Sequence, residues 1–139
     1  MRHPMFDNHY DIPDIYVRRW ASACHLSVLV GFIFFPLGPP LFAFLVWRFK
    51  RDEHFYIDEQ GRESVNFQFS MTLYAMVITV VLWALKPILL GYFLGWVPIL
   101  IYIAQVLLAL VGALRAYDGE KFHYPFSIPF IAPFDPDRD

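Results

Sequence analysis

Very few residues in this chain stand where they could do chemistry. Cys24 and His25 are neighbours, but adjacent helix positions face different directions, so they do not make a thiolate–imidazole pair. His54 and Asp58 are four apart, and His3 and His9 flank the N-terminal arm. No paired helical histidines, Cys-x-x-Cys or third ligand accompanies them, so no metal is expected. No Gly-rich phosphate loop is present either, and no cofactor is expected. The acid–base groups left for a lipid-modifying enzyme are His25, His54, Asp58 and Glu59, which lack a nucleophile. No catalytic residue is therefore assigned.

The more telling polar residues lie inside uncharged runs. Asn66, Ser70 and Tyr74 are spaced by four and share a helix face. Gln68 lies beside them, Gln105 sits midway along the last apolar run, and His25 lies early in the first. Polar groups at such depth face a bundle interior or a cavity. One reading is a polar chamber formed by His25, Asn66, Gln68, Gln105 and Arg115. The other is a set of interhelical hydrogen bonds, worth roughly 1 kcal/mol each.

The elements that would position these groups follow from charge placement. Of 139 residues, 58% are hydrophobic and 19% aromatic, above the apolar share of a soluble domain. A formal net charge of −2 gives no reason to expect nucleic acid. The one cysteine makes no intramolecular disulfide, and no cleaved signal peptide is expected. Residues 20–47 carry no charge, which as one helix would run about 42 Å, too long for a hydrocarbon core of about 30 Å. Pro36, Gly38, Pro39 and Pro40 break that run into a hairpin. A hairpin puts ten Lys or Arg on one side and Lys86 alone on the other, whereas a single crossing splits them seven to four. The positive-inside rule prefers the hairpin, although its second helix is short for a crossing.

The expected fold is an all-α integral membrane protein with four apolar helices, at about 20–36, 39–50, 60–86 and 96–115. Residues 1–17 form a cytosolic arm, 18–117 the membrane domain and 118–139 an aromatic, proline-rich cytosolic tail. Asp58 is the expected cap of the third helix, with a weak, wet pairing to Arg62 four residues on. In the tail, Phe122, Tyr124, Phe126, Ile128 and Phe130 alternate with His123, Pro125, Ser127 and Pro129. Period two implies an extended strip with one apolar face, lying on the membrane surface or on the hairpin. Asp58, Arg62, Phe122, Tyr124, Pro125 and Phe126 are the candidate docking residues.

Four blocks carry a resemblance. They are Arg-Trp-Ala-Ser-Ala-Cys-His-Leu-Ser at 19–27, Pro-Leu…Trp-Arg-Phe-Lys-Arg-Asp at 40–52, Phe-Tyr-Ile-Asp-Glu-Gln-Gly-Arg-Glu-Ser-Val-Asn-Phe-Gln-Phe-Ser at 55–70, and Ala…Asp-Gly-Glu-Lys-Phe-His-Tyr-Pro at 116–125. In this order they resemble a widespread bacterial membrane family of unknown function, distantly similar to the membrane subunit of the chloroplast inner-envelope protein translocon. The likeness covers about residues 17–131. The chain departs from it at Ser64-Val65, where an Ala-Leu pair is usual, and at His123, where a basic residue is common. The resemblance implies a multi-pass protein of the bacterial inner membrane. With the charge pattern, both termini are expected in the cytoplasm. It transfers no reaction, because fold does not carry function. The expected role is a subunit, scaffold or assembly factor of a larger membrane complex. The expected partners are membrane lipids, other integral membrane proteins and, in one alternative, further copies of the chain. A protein or small-solute translocation path is the alternative function, and a lipid-modifying enzyme the second.

Overall fold

The computed structural model describes residues 12–135 and 137. The arm before residue 12, with His3 and His9, lies outside the described residues. Four long helices are present: α1 (Ile15–Gly31), α2 (Gly38–Lys50), α3 (Phe55–Ala84) and, after the one-turn α4 (Leu90–Phe93), α5 (Val97–Tyr117). No strand occurs among the described residues.

Capping moves two of the expected starts upstream. The Asp14 carboxylate accepts from Tyr16 N–H at 3.2 Å, so α1 begins at Ile15 rather than at the Arg-Trp boundary. At α3 the cap is His54, whose Nδ1 accepts from Tyr56 N–H at 3.1 Å. Asp58, expected as that cap, instead lies in the first turn, where its charge suits the helix dipole.

Only two of the four expected spans are long and apolar enough to cross a membrane. They are α3, with 30 residues, and the stretch Leu90–Tyr117 that contains α5. With 13 residues, α2 extends about 20 Å, short of a hydrocarbon core of about 30 Å. The α1–α2 hairpin is nonetheless tight. A Cβ on Gly31 would meet the Pro39 backbone, so only glycine admits that contact. The Phe35–Pro36 peptide bond in the turn is cis. At the hairpin tip Phe32 and Phe35 pack edge-on against Tyr102, at centroid distances of 6.1 and 4.9 Å. Tyr102 lies five residues into α5, so the tip packs against the early turns of that helix.

Small residues line many of the helix contacts. Ala21, Ala43, Ala75, Ala109, Ala113 and Ala116 are fully or almost fully buried, which lets the helices approach closely. Many of the large aliphatic side chains point outward. Leu29, Ile33, Leu41, Val77, Val80, Ile99, Leu107 and Leu114 are all exposed. Such a belt exceeds the apolar patches of a soluble monomer and matches the needs of a lipid-facing surface.

The tail does not lie as a flat strip. Residues 121–126 run down α3, the chain turns at Pro125–Phe126, and residues 127–134 run back up. Phe126 has a left-handed φ of 60° and is 83% exposed, whereas Tyr124 is 6% exposed. The turn therefore breaks the expected one-sided alternation.

Candidate functional site

Two polar rows run along α3. Asn66, Ser70 and Tyr74 form one; Gln60, Ser64, Gln68 and Thr72 form the other. Within a row residues recur every four, and corresponding members of the two rows are two positions apart, which places them roughly 200° around the helix.

The first row holds the returning limb of the tail by its backbone. The Asn66 side-chain amide donates to Ile131 C=O at 2.8 Å and accepts from Ile131 N–H at 2.7 Å. Ser70 Oγ accepts from Ile128 N–H at 2.7 Å and donates to Asn66 C=O at 2.7 Å. Tyr74 Oη donates to Phe126 C=O at 2.7 Å. Arg62, one turn above Asn66, donates to Ala132 C=O at 3.0 Å. The descending limb is held by charge near the top of α3. Lys121 pairs with Glu59 at 3.0 Å, His123 contacts Glu63 at 3.0 Å, and Tyr124 N–H reaches Glu63 at 3.4 Å.

Tyr124 is the anchor of this clasp. Its ring stacks on Phe67 at 3.9 Å and 6° and meets Phe122 edge-on at 4.8 Å. Its Oη lies 2.6 Å from His25 Nδ1, and His25 Nε2 lies 3.2 Å from Gln60 Oε1. One proton arrangement satisfies both contacts: the phenol donates to Nδ1, and Nε2–H donates to the amide oxygen. Burial pushes the Tyr124 phenol well above its usual range, with the Glu63 charge adding to the shift, so it stays protonated. Gly112 of α5 provides the space, since a Cβ there would collide with Tyr124 Oη and crowd His25 Nδ1.

The second row faces the helices. Ser64 Oγ donates to Cys24 C=O at 2.8 Å, and Gln105 Nε2 donates to Gln68 Oε1 at 2.5 Å. Gln60, Gln68 and Gln105 are fully buried and Thr72 nearly so. Yet Gln60 Nε2, Gln68 Nε2, Gln105 Oε1 and Thr72 Oγ1 find no partner among the described residues.

Of the residues read as a polar chamber, His25, Gln68 and Gln105 are fully buried between the helices. Asn66 is not part of it, because both ends of its amide are taken by the tail. Arg115 is not part of it either: it is half exposed and pairs with Glu120 at the helix end. Gln60, Ser64 and Thr72 are buried on the same row without being among the expected residues, although with Gln68 they recur every four positions.

The candidate docking residues are largely engaged within the fold. Asp58 and Arg62 pair at 2.8 Å with side chains only 9% and 13% exposed, not at a wet surface. Trp47 Nε1–H donates to Asp58 at 2.6 Å, and Phe134 and Trp47 flank the guanidinium. Tyr124 is buried and Phe122 partly so, leaving Pro125 and Phe126 exposed at the tip of the turn. The acid–base groups are not assembled either. His25 is held by Tyr124 and Gln60, His54 caps α3, and Asp58 holds Trp47 and Arg62. Partial burial lowers the pKa of His54, which keeps its capping nitrogen free to accept. Among the described residues no group of three His, Cys, Asp or Glu side chains is placed to hold a metal.

Two helices long and apolar enough to cross a bilayer, an apolar outer belt and polar residues turned inward are the features of a membrane-associated helical protein. The chain belongs to the MamF/MmsF magnetosome magnetite crystal formation protein family, whose pattern it matches over residues 17–131. No curated protein and no solved structure matches it.

Proposed function

We propose that this chain is a non-catalytic, multi-pass component of a larger assembly in a bacterial inner or inner-membrane-derived bilayer, serving magnetite crystal formation as its family does. In this reading α3 and α5 cross the bilayer. The α1–α2 hairpin enters from the cytoplasmic side and returns without crossing, and both termini are cytoplasmic. The charge distribution supports that sidedness. Arg18, Arg19, Arg48, Lys50, Arg51, Arg62, Arg115 and Lys121 gather at the end opposite Lys86.

The observation that carries the scaffold role is the occupation of the polar side chains. His25, Asn66, Ser70, Asp58 and Arg62 are used to hold the fold together, which leaves an apolar belt as the surface for neighbours. The far end is also unlike a mineral template. No Asp or Glu occurs between Glu63 and Asp118, so that end lacks the carboxylate ligands that hard iron cations favour. Extraction in native lipid particles, followed by mass spectrometry, tests the proposal. A stoichiometric membrane-protein partner is the expected result; a homogeneous preparation of this chain alone would overturn it.

A second reading, a small-solute or proton path, draws support from the unpaired atoms of Gln60, Gln68, Thr72 and Gln105. Flux through reconstituted vesicles that falls with Gln68→Leu would favour it, and tight vesicles would end it for the isolated protein.

A further inference from the structure

The Lys86 end holds a cationic cleft whose charge the described residues do not answer. Thr79, Leu82 and Trp83 follow one face of α3, and Lys86, two residues past the end of that helix, continues the spacing of three and four. Tyr92 from α4 and Pro98 from the first turn of α5 close the other side, enclosing about 290 Å³. The Lys86 ammonium lies 5.6 Å from the Tyr92 ring centroid, a cation–π distance.

The charge pattern makes this lysine unusual. At the opposite end, Arg48 pairs with Asp52, Lys50 with Glu53, Arg62 with Asp58, Arg115 with Glu120 and Lys121 with Glu59. Lys86 has no such option, because residues 64–117 contain no Asp or Glu. An ammonium beside an apolar wall, without an internal counter-ion, draws an external anion. The walls say which kind. Leu82 and Pro98 are apolar and suit acyl chain or glycerol, while Trp83 and Tyr92 have the amphipathic rings that gather at headgroup depth.

We propose that this cleft seats the phosphate of an anionic phospholipid, with Lys86 on the phosphate oxygens, Tyr92 and Trp83 beside the headgroup, and Leu82 and Pro98 along the start of the acyl chains. The shared chemistry is a phosphate anion, and the apolar walls favour a lipid over free inorganic phosphate. The inference rests on α3 and α5 lying in a bilayer. If they do not, the protein will fail to fractionate with membranes, before any lipid comparison is made.

The test uses the full chain purified in mild detergent and examined by native mass spectrometry while phosphatidylglycerol or phosphatidylcholine is titrated in. The wild-type protein should retain phosphatidylglycerol preferentially. Lys86→Gln should reduce that preference about fivefold, the weight of one lysine near a membrane surface. Lys86→Arg should preserve it. Lys86 is exposed at a helix end, so both variants should keep the wild-type melting temperature. Equal retention of the two lipids by the wild type would overturn the proposal, as would an undiminished preference in Lys86→Gln. Displacement of the lipid by millimolar inorganic phosphate would also overturn it, by making the cleft a site for free anions.

Discussion

The two polar rows of α3 have similar composition and opposite fates. Asn66, Ser70 and Tyr74 meet backbone groups of the tail, and each hydroxyl or amide is matched to a peptide N–H or C=O. Gln60, Ser64, Gln68 and Thr72 meet side chains and helix backbone, and three of the four retain an unpaired atom. The difference lies in the partner. An extended segment presents free peptide groups that slide into register with a helix face, whereas a neighbouring helix has already used its own within the helix. One row is therefore a specific clasp. The other is a weaker contact between helices that is open to loss.

Breaking the clasp should have the largest effect. Asn66→Leu strands both the N–H and the C=O of Ile131, at about 1–2 kcal/mol each, for about 2–4 kcal/mol in all. Hydrogen exchange at Ile128 and Ile131 should accelerate, and a protease should cut the tail of the variant before that of the wild type. A tail equally protected in both would show that the backbone contacts do not hold it.

Removing the anchor should come next. Tyr124→Phe keeps the stacking on Phe67 and leaves His25 Nδ1 without its donor, at about 1–3 kcal/mol. A lower melting temperature in detergent, with retained helicity by circular dichroism, is the expected result. Gly112→Val should reproduce that loss by a separate route, because its side chain occupies the space of the phenol oxygen. If Gly112→Val melts as the wild type does, the tyrosine is not seated against α5.

The interior row should respond less. Gln105→Leu orphans the Gln68 oxygen and should cost about 1 kcal/mol. The double variant Gln68→Leu with Gln105→Leu removes both partners and their unpaired atoms, and should recover most of that loss. A double variant worse than the single one would show that the pair is better satisfied than its contacts indicate.

What the sequence discloses follows the same division. Uncharged runs and prolines locate all four long helices, because apolar length and breakers act locally. The spacing of Asn66, Ser70 and Tyr74 is enough by itself to put them on one face. Gln60 lies at the very start of the expected helix, in a charged stretch, and the His54 cap places it more than a turn inside α3. The path of the tail is illegible for another reason. Period two describes an extended chain until something turns it, and Phe126 in a left-handed conformation is not a residue that announces a turn. Four spans are expected and two are long enough, because missing charge is a poor measure of span: the uncharged hairpin ends at its tip against Tyr102.

The smallest expected effect lies outside both rows, where α1 meets the loop after α2, and it bounds how much exposed polar contacts contribute. Tyr16 Oη donates to Glu53 at 2.9 Å and Lys50 pairs with the same carboxylate at 2.7 Å. Hydrogen bonding from Lys50, then from Tyr16, holds the Glu53 carboxyl below its usual pKa. A depressed carboxylate pKa contributes stability that is full above the unfolded-state value and fades as pH falls through the folded-state value. The node should therefore loosen only in acid, below the ordinary glutamate range. Glu53→Gln should remove that acid dependence and shift the melting temperature at neutral pH by little, because the carboxylate is solvated and screened. A loss at neutral pH as large as that of Asn66→Leu would mean that surface charge, and not the tail clasp, fixes the position of the hairpin.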